Sequence, residues 1–199
     1  MKILRTIALG LSLALLMSAS VQAGSLEGLR VIGIDKADQE VLEGIGRGLE
    51  GIPQEVLQHH RNTGKSVILT AGTLPGYDNA VAGLYFYSGP EKDNIYVRVD
   101  ADYYNQYQIP PDITLTHEIG HFIYNRWHPS MGTEDQIQLE QLHDYWSRHR
   151  LDCYDPEETF AVLYSNCKID PEWYDAETRE FFRKAESYII RLSQGPGAF

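Results

Sequence analysis

The stretch His117-Glu118-Ile119-Gly120-His121 matches the pattern H-E-x-x-H. On a helix, residues four positions apart lie on the same face, so the imidazoles of His117 and His121 can bind one metal ion. Two imidazoles and a carboxylate suit Zn²⁺ and leave a fourth position for a water molecule. Glu118 follows the first histidine and can reach that water as a general base. The stretch therefore predicts a site for one catalytic Zn²⁺.

The residues around this motif predict that it lies on a partly buried helix. Asp112 is expected to cap the helix after Pro110-Pro111, because a carboxylate accepts an unpaired backbone N–H, and Pro129 is expected to stop it. The alternative is a helix with two hydrogen-bonded histidines and a surface glutamate, which needs no metal. Four apolar residues can form the buried side of the helix: Ile113, Ile119, Phe122 and Ile123.

A third protein ligand must come from elsewhere in the chain. His128 lies roughly 10 Å along the helix from His121, at a rise of about 1.5 Å per residue, and is too far away to share a metal. A further helix begins near Pro156, and either Glu157 or Glu158 can supply a carboxylate, although acids are common at helix N-termini without a metal. Spacing does not rank the two. Other candidates lie on or near a polar helix: Glu134, Asp135, Glu140, His143 and His149.

Three stretches carry a family resemblance: residues 116–122 (Thr-His-Glu-Ile-Gly-His-Phe), 157–161 (Glu-Glu-Thr-Phe-Ala) and 175–182 (Asp-Ala-Glu-Thr-Arg-Glu-Phe-Phe). Together they resemble the catalytic domain of anthrax-toxin lethal factor and the secreted Pro-Pro endopeptidases similar to it. The resemblance implies a zincin-like fold, a catalytic zinc and a peptide or protein substrate. It also implies that Glu158 is the third zinc ligand, with Thr159 standing where the family has an aromatic residue.

A tyrosine hydroxyl is expected near the metal, because the tetrahedral oxyanion of peptide hydrolysis needs a donor beyond the metal. Tyr154 is the candidate, since it lies with Glu158 in the interval between Cys153 and Cys167. Three further tyrosines are alternatives that ordinary packing also explains: Tyr124, Tyr145 and Tyr164.

The N-terminus, residues 1–23, has the pattern of a secretory signal peptide. Lys2 and Arg5 precede an apolar stretch, and Val21 and Ala23 fit the −3 and −1 positions of a cleavage site. A membrane anchor is the alternative, but the apolar stretch is short for a span of about 20 residues. The mature protein is therefore expected to be secreted or periplasmic, without stable membrane association after signal cleavage.

Composition indicates an ordinary globular chain. It has 199 residues, 43% of them hydrophobic, and residues 24–199 are expected to form a single zinc metallopeptidase domain. The formal net charge of −11, without a stripe rich in Lys and Arg, argues against binding to nucleic acid. Because export leads to an oxidising compartment, Cys153 and Cys167 are predicted to form a disulfide.

The pattern of apolar residues predicts an α+β fold, with a small N-terminal mixed sheet and two helices followed by an all-helical half. His59 and His60 are expected at a solvated helix end. Predicted strands cover residues 29–34, 66–70, 84–87 and 94–99, the last two forming a hairpin; predicted helices cover 38–49, 53–60, 112–127, 134–149, 157–166 and 175–192.

The segment 83–87 is expected to lie beside the helix that carries His117. As an edge strand it could pair with an extended peptide, whereas as an interior strand its aromatic side chains would simply pack. Two functions remain open. Intact Glu118 favours a secreted zinc endopeptidase. Val162, which replaces an acid of the resembled family, favours an exported, catalytically weak zinc-site scaffold that binds peptides or proteins.

Overall fold

The computed structural model describes residues 26–77, 81–149 and 154–195. The predicted signal peptide, residues 1–23, lies outside the described residues. Within them, seven α-helices and a four-stranded sheet form an α+β fold, so the predicted fold class is confirmed. None of the described helices combines the length and the apolar character that crossing a membrane requires.

A small mixed sheet lies in the N-terminal half. Its strands pair in the order β1-β2-β4-β3: β1 (Val31–Ile32), β2 (Val67–Thr70), β3 (Gly83–Tyr85) and β4 (Ile95–Arg98). The first three in this order run parallel, whereas β3 is antiparallel to β4, with Leu84 opposite Tyr96. The predicted hairpin is therefore present, and β3 is one of the two edge strands of the described sheet.

Seven α-helices make up most of the remaining described chain: α1 (Gln39–Leu49), α2 (Gln54–Asn62), α3 (Ala101–Tyr107), α4 (Pro111–Trp127), α5 (Thr133–Arg148), α6 (Pro156–Ile169) and α7 (Ala176–Ser193). The sequence pattern predicts all of them except α3. Only Tyr103 and Tyr104 are buried in α3, so its seven residues carry no apolar stripe at helical spacing.

The helix α4, which carries the H-E-x-x-H motif, packs closely against α1. A Cβ added at Gly48 of α1 would overlap the carbonyl oxygen of Asp112, so a glycine is required for this approach. The hydroxyl of Thr116 donates a hydrogen bond of 2.9 Å to the carbonyl oxygen of Gly48. These contacts fix α4 against α1 at Thr116, the residue before His117.

Aromatic side chains pack α4 against α6 and α7. The ring of Phe160 on α6 lies 6.3 Å from that of Trp127 on α4, and 6.0 and 5.2 Å from those of Phe181 and Phe182 on α7. Full burial of such a side chain contributes about 1.5–3 kcal/mol. The cluster therefore holds α6, which carries Glu158, beside α4.

Two local predictions are wrong. Asp112 does not cap α4: the N-cap is Pro110, which offers no side-chain acceptor, and Asp112 already lies inside the first turn. His60 is not solvated but fully buried, because the hairpin and α4 cover the end of α2. Its Nε2 lies 2.8 Å from the carbonyl oxygen of Asp93, and its ring packs edge-on against Phe122.

Candidate metal centre and active-site cleft

The side chains of His117, His121 and Glu158 converge at the contact between α4 and α6. The Nε2 atoms of the two histidines lie 3.0 Å apart. Glu158 places Oε1 3.3 Å from Nε2 of His117 and Oε2 3.4 Å from Nε2 of His121. The structure thus brings together the three residues expected to bind a metal.

The spacing of these atoms fits a zinc ion. With bonds of about 2.0–2.1 Å, the ligand atoms of a tetrahedral site lie about 3.3–3.4 Å from one another. The observed distances are 3.0–3.4 Å when each histidine is measured to the nearer oxygen of Glu158. Two imidazoles and one carboxylate also form the ligand set of many catalytic zinc sites. In the described ranges, no other group of three His, Cys, Asp or Glu residues meets the same spacing.

Glu157 contacts the same site from outside the ligand set. Its Oε1 accepts hydrogen bonds from Nδ1 of His121 at 3.1 Å and from the amide of Asn125 at 2.7 Å. A histidine whose Nδ1–H is held by a carboxylate presents Nε2 to a metal. Asn125 was not predicted as a site residue. Its position four residues after His121 places it on the same helix face, and this spacing could have indicated it.

The two histidines have opposite pKa shifts. Burial, together with the charge of the neighbouring His121, lowers the pKa of His117 to about 4. Burial also disfavours a charge on His121, but its hydrogen bonds to Glu157 and Glu158 outweigh this and raise the pKa of His121 to about 10. Without a metal, at neutral pH, His121 is therefore an imidazolium between two carboxylates while His117 is neutral.

These shifts predict how the metal-free protein titrates. In NMR spectra of the ring nitrogens, His121 is expected to remain protonated until the pH approaches about 10, and His117 to remain neutral down to about pH 4. Zinc must displace the proton on His121, so zinc affinity is expected to rise with pH over this interval. Glu157→Gln should lower the pKa of His121. Titration of both rings near the ordinary value of about 6.5 would contradict the assignment.

Glu118 is buried beneath β3. The backbone N–H of Tyr85 donates a hydrogen bond to its carboxylate. A Cβ added at Gly83 would overlap the same carboxylate, so only glycine leaves room for it. Burial raises the pKa of Glu118 to about 7, an effect that the charge on His121 partly opposes. A carboxylate with a pKa near neutrality can both accept and return a proton in a catalytic cycle.

The contact between Gly120 and Ala161 sets the approach of α6 to the histidines. A Cβ added at Gly120 would lie 2.9 Å from Cα of Ala161, closer than side chains tolerate against backbone. The glycine inside the motif thus lets α6 approach α4 closely. Asp155 caps α6 by accepting a 2.8 Å hydrogen bond from the backbone N–H of Glu158, which orients the first turn.

An open cleft of about 920 Å³ contains the site. β3, the N-terminal part of α4 and the first turn of α6 line it, and Tyr154 borders it with a side chain that is 86% exposed. A cleft of this size accommodates several residues of a peptide. Apolar side chains contribute to its walls: Val81, Leu84, Ile109 and Ile113.

The alternatives to Tyr154 are placed differently. Tyr164 is fully buried and donates a hydrogen bond to Glu186, and Tyr124 is buried beside His128. Tyr145 is exposed on α5. None of the three lines the cleft, whereas three tyrosines that were not candidates for this role do: Tyr77, Tyr85 and Tyr87.

The remaining ligand candidates do not line the cleft either. His143 forms a 2.7 Å hydrogen bond with the hydroxyl of Thr159, next to Glu158 in sequence. His128 stacks on Tyr124, about two helical turns beyond His121. The others that lie outside the cleft are Glu134, Asp135, Glu140 and His149.

The predicted disulfide is unsupported. Cys167 is buried on α6, and the described part of the chain contains no disulfide. Cys153 lies outside the described residues, so the pairing stays a prediction.

The comparisons with known proteins bear on the fold. No protein-family model matches the chain, and no curated protein matches it. Among solved structures, the Pro-Pro endopeptidase PPEP-2 from Paenibacillus alvei is similar, with 16% identity and a TM-score of 0.51 over 85% of this chain and 98% of that chain. The predicted resemblance to Pro-Pro endopeptidases is therefore supported at the level of the fold, whereas the resemblance to lethal factor remains a prediction.

Proposed function

We propose that this chain is a zinc-dependent endopeptidase. The observation that carries the proposal is the position of buried Glu118 beside three potential ligand residues, whose nearest side-chain atoms lie 3.0–3.4 Å apart, in the wall of an open cleft. The likeness to a protein named as a Pro-Pro endopeptidase supports the same class of function.

His117, His121 and Glu158 would hold the zinc ion, which supplies Lewis acidity and makes water a stronger nucleophile at neutral pH. The carboxylate of Glu118, with its pKa of about 7, takes a proton from the attacking water and delivers it to the nitrogen of the leaving amine. The hydroxyl of Tyr154, at the border of the cleft, donates a hydrogen bond to the developing oxyanion.

The substrate is a peptide or protein segment in extended conformation. β3 is an edge strand of the described sheet and lines the cleft, so the substrate backbone can add to it as a further strand. Side chains of the substrate would then contact Ile109, which precedes α4, and Ile113 in its first turn. Proline at the cut is one preference to test, since the similar structure is a Pro-Pro endopeptidase.

The protein acts outside the cytoplasm in this proposal, either secreted or periplasmic. The support is the signal-like sequence of residues 1–23. The competing function is an exported scaffold that binds peptides at a zinc site without cleaving them. Such a scaffold has no need of a buried carboxylate at the position of Glu118, so the arrangement favours the enzyme.

Purified mature protein tests both functions together. Metal analysis is expected to give about one zinc per chain. A library of peptides from denatured proteins, including Pro-Pro sequences, is expected to be cut at internal bonds, with loss of cleavage on chelation and recovery when zinc is restored. Bound zinc without cleavage would select the scaffold, and absence of zinc would overturn both functions.

A further inference from the structure

The turn between β3 and β4 contains a buried carboxylate that joins three parts of the fold. Asp93 is 5% exposed; its Oδ1 accepts a 2.7 Å hydrogen bond from the hydroxyl of Tyr85 on β3, and its Oδ2 forms an ion pair with Arg126 on α4. Its carbonyl oxygen lies 2.8 Å from Nε2 of His60 on α2. Asp93 thus connects the hairpin to α4 and α2.

The backbone of Asp93 has a left-handed conformation in this turn. Its φ of 67° lies in a region that residues other than glycine adopt uncommonly, although aspartate does so more often than most. Burial of its carboxylate is strongly unfavourable unless the charge is paired. The arrangement therefore depends on Tyr85 and Arg126 together.

The strand that Asp93 binds through Tyr85 is β3, which also covers Glu118. The N–H of Tyr85 donates to the carboxylate of Glu118, and Gly83 packs directly against it. The ring of Tyr85 is nearly parallel to that of His121, at an interplanar angle of 3° and a centroid distance of 6.2 Å. β3 has three residues and pairs only with β4 within the described sheet, so contacts outside the sheet must fix its distance from α4.

We propose that Asp93 is a positioning residue for the site, an inference that rests on the proposed endopeptidase function. By binding Tyr85 and Arg126 at once, its carboxylate holds β3 against α4 and keeps the N–H of Tyr85 on Glu118. Without this link β3 moves away from α4, and Glu118 loses the donor and the backbone wall that orient its carboxylate. The metal ligands are not part of the link.

The chain contains a matched control for this link. In the helical half, Tyr164 donates a 2.9 Å hydrogen bond to Glu186, which forms a 2.6 Å ion pair with Lys168. This second group also combines a tyrosine hydroxyl, a buried carboxylate and a cation, but none of its members lines the cleft. Tyr164→Phe therefore removes an equivalent hydrogen bond without touching β3.

The experiment compares Tyr85→Phe, Asp93→Asn and Tyr164→Phe in the zinc-loaded protein. Tyr85→Phe keeps the ring against His121 and removes only the hydroxyl, so it tests the link even if Asp93→Asn fails to fold. Hydrogen exchange of the Tyr85 amide, followed by NMR, reports directly on its hydrogen bond to Glu118. After correction for global stability, we expect this amide to exchange about tenfold faster in Tyr85→Phe and unchanged in Tyr164→Phe.

The kinetic readout is separate. In Tyr85→Phe, kcat for a cleaved peptide is expected to fall by about 10–100-fold with KM and zinc affinity little changed, because a small displacement of a catalytic group has effects of this size. If Tyr85→Phe alters neither the amide exchange nor kcat more than Tyr164→Phe does, the proposal is overturned. The exchange measurement needs no substrate. If the wild-type protein failed to cleave peptides, the proposed function would be refuted, but the exchange rates would still show whether Asp93 positions β3.

Discussion

Replacement of Glu118 by glutamine is expected to lower kcat by about 10²–10⁴-fold while the protein keeps its fold and its zinc. Glutamine has the same shape, and its amide oxygen can still accept the hydrogen bond from the N–H of Tyr85. It cannot take a proton from water, however, and that step is the assigned role of Glu118. Zinc stays bound because Glu118 is outside the set of His117, His121 and Glu158.

The measurement is steady-state cleavage of one peptide at matched zinc content. Gly83→Ala provides a second variant, in which Glu118 is unchanged but its carboxylate is displaced, because the new Cβ would overlap it. We expect Gly83→Ala to reduce kcat less than Glu118→Gln and to retain zinc. Turnover of Glu118→Gln within about threefold of the wild type would reject the general-base assignment, since such a base contributes at least about 10²-fold.

The two histidines could be predicted from sequence because their relation is local. A separation of four residues on a helix places two side chains on one face whatever surrounds them. The helix itself was also predictable, since apolar spacing and flanking prolines mark its limits, and the structure places it at Pro111–Trp127.

The choice between Glu157 and Glu158 could not be made from spacing. Adjacent residues on a helix point about 100° apart, so the acid that faces the histidines depends on how α6 is rotated against α4. That rotation follows from the contact of Gly120 with Ala161 and from the burial of Phe160. The family resemblance pointed to Glu158, which is the acid that the structure places against both Nε2 atoms.

Buried polar contacts between distant segments were the least predictable features. His60 and Asp93 are 33 residues apart, as are Asp93 and Arg126. A pair of histidines at the end of a polar helix has the pattern of a solvated surface until the hairpin covers it. The sequence carries no periodic signal for such contacts, because each one depends on the packing of separate elements.

The different positions of Glu157 and Glu158 predict a clear difference between their alanine variants. Glu158→Ala removes one of three protein ligands, whereas Glu157→Ala leaves the ligands in place and removes only the acceptor that orients His121. Loss of such an outer contact typically weakens metal affinity by about 10–100-fold, and loss of a ligand is expected to weaken zinc affinity at least about tenfold more. Competition with a chromophoric chelator measures both constants. At saturating zinc, Glu157→Ala should retain measurable turnover and Glu158→Ala should not. The reverse order of zinc affinities would mean that Glu157, and not Glu158, binds the zinc. It would require α6 to be rotated from the orientation that the contact of Gly120 with Ala161 imposes.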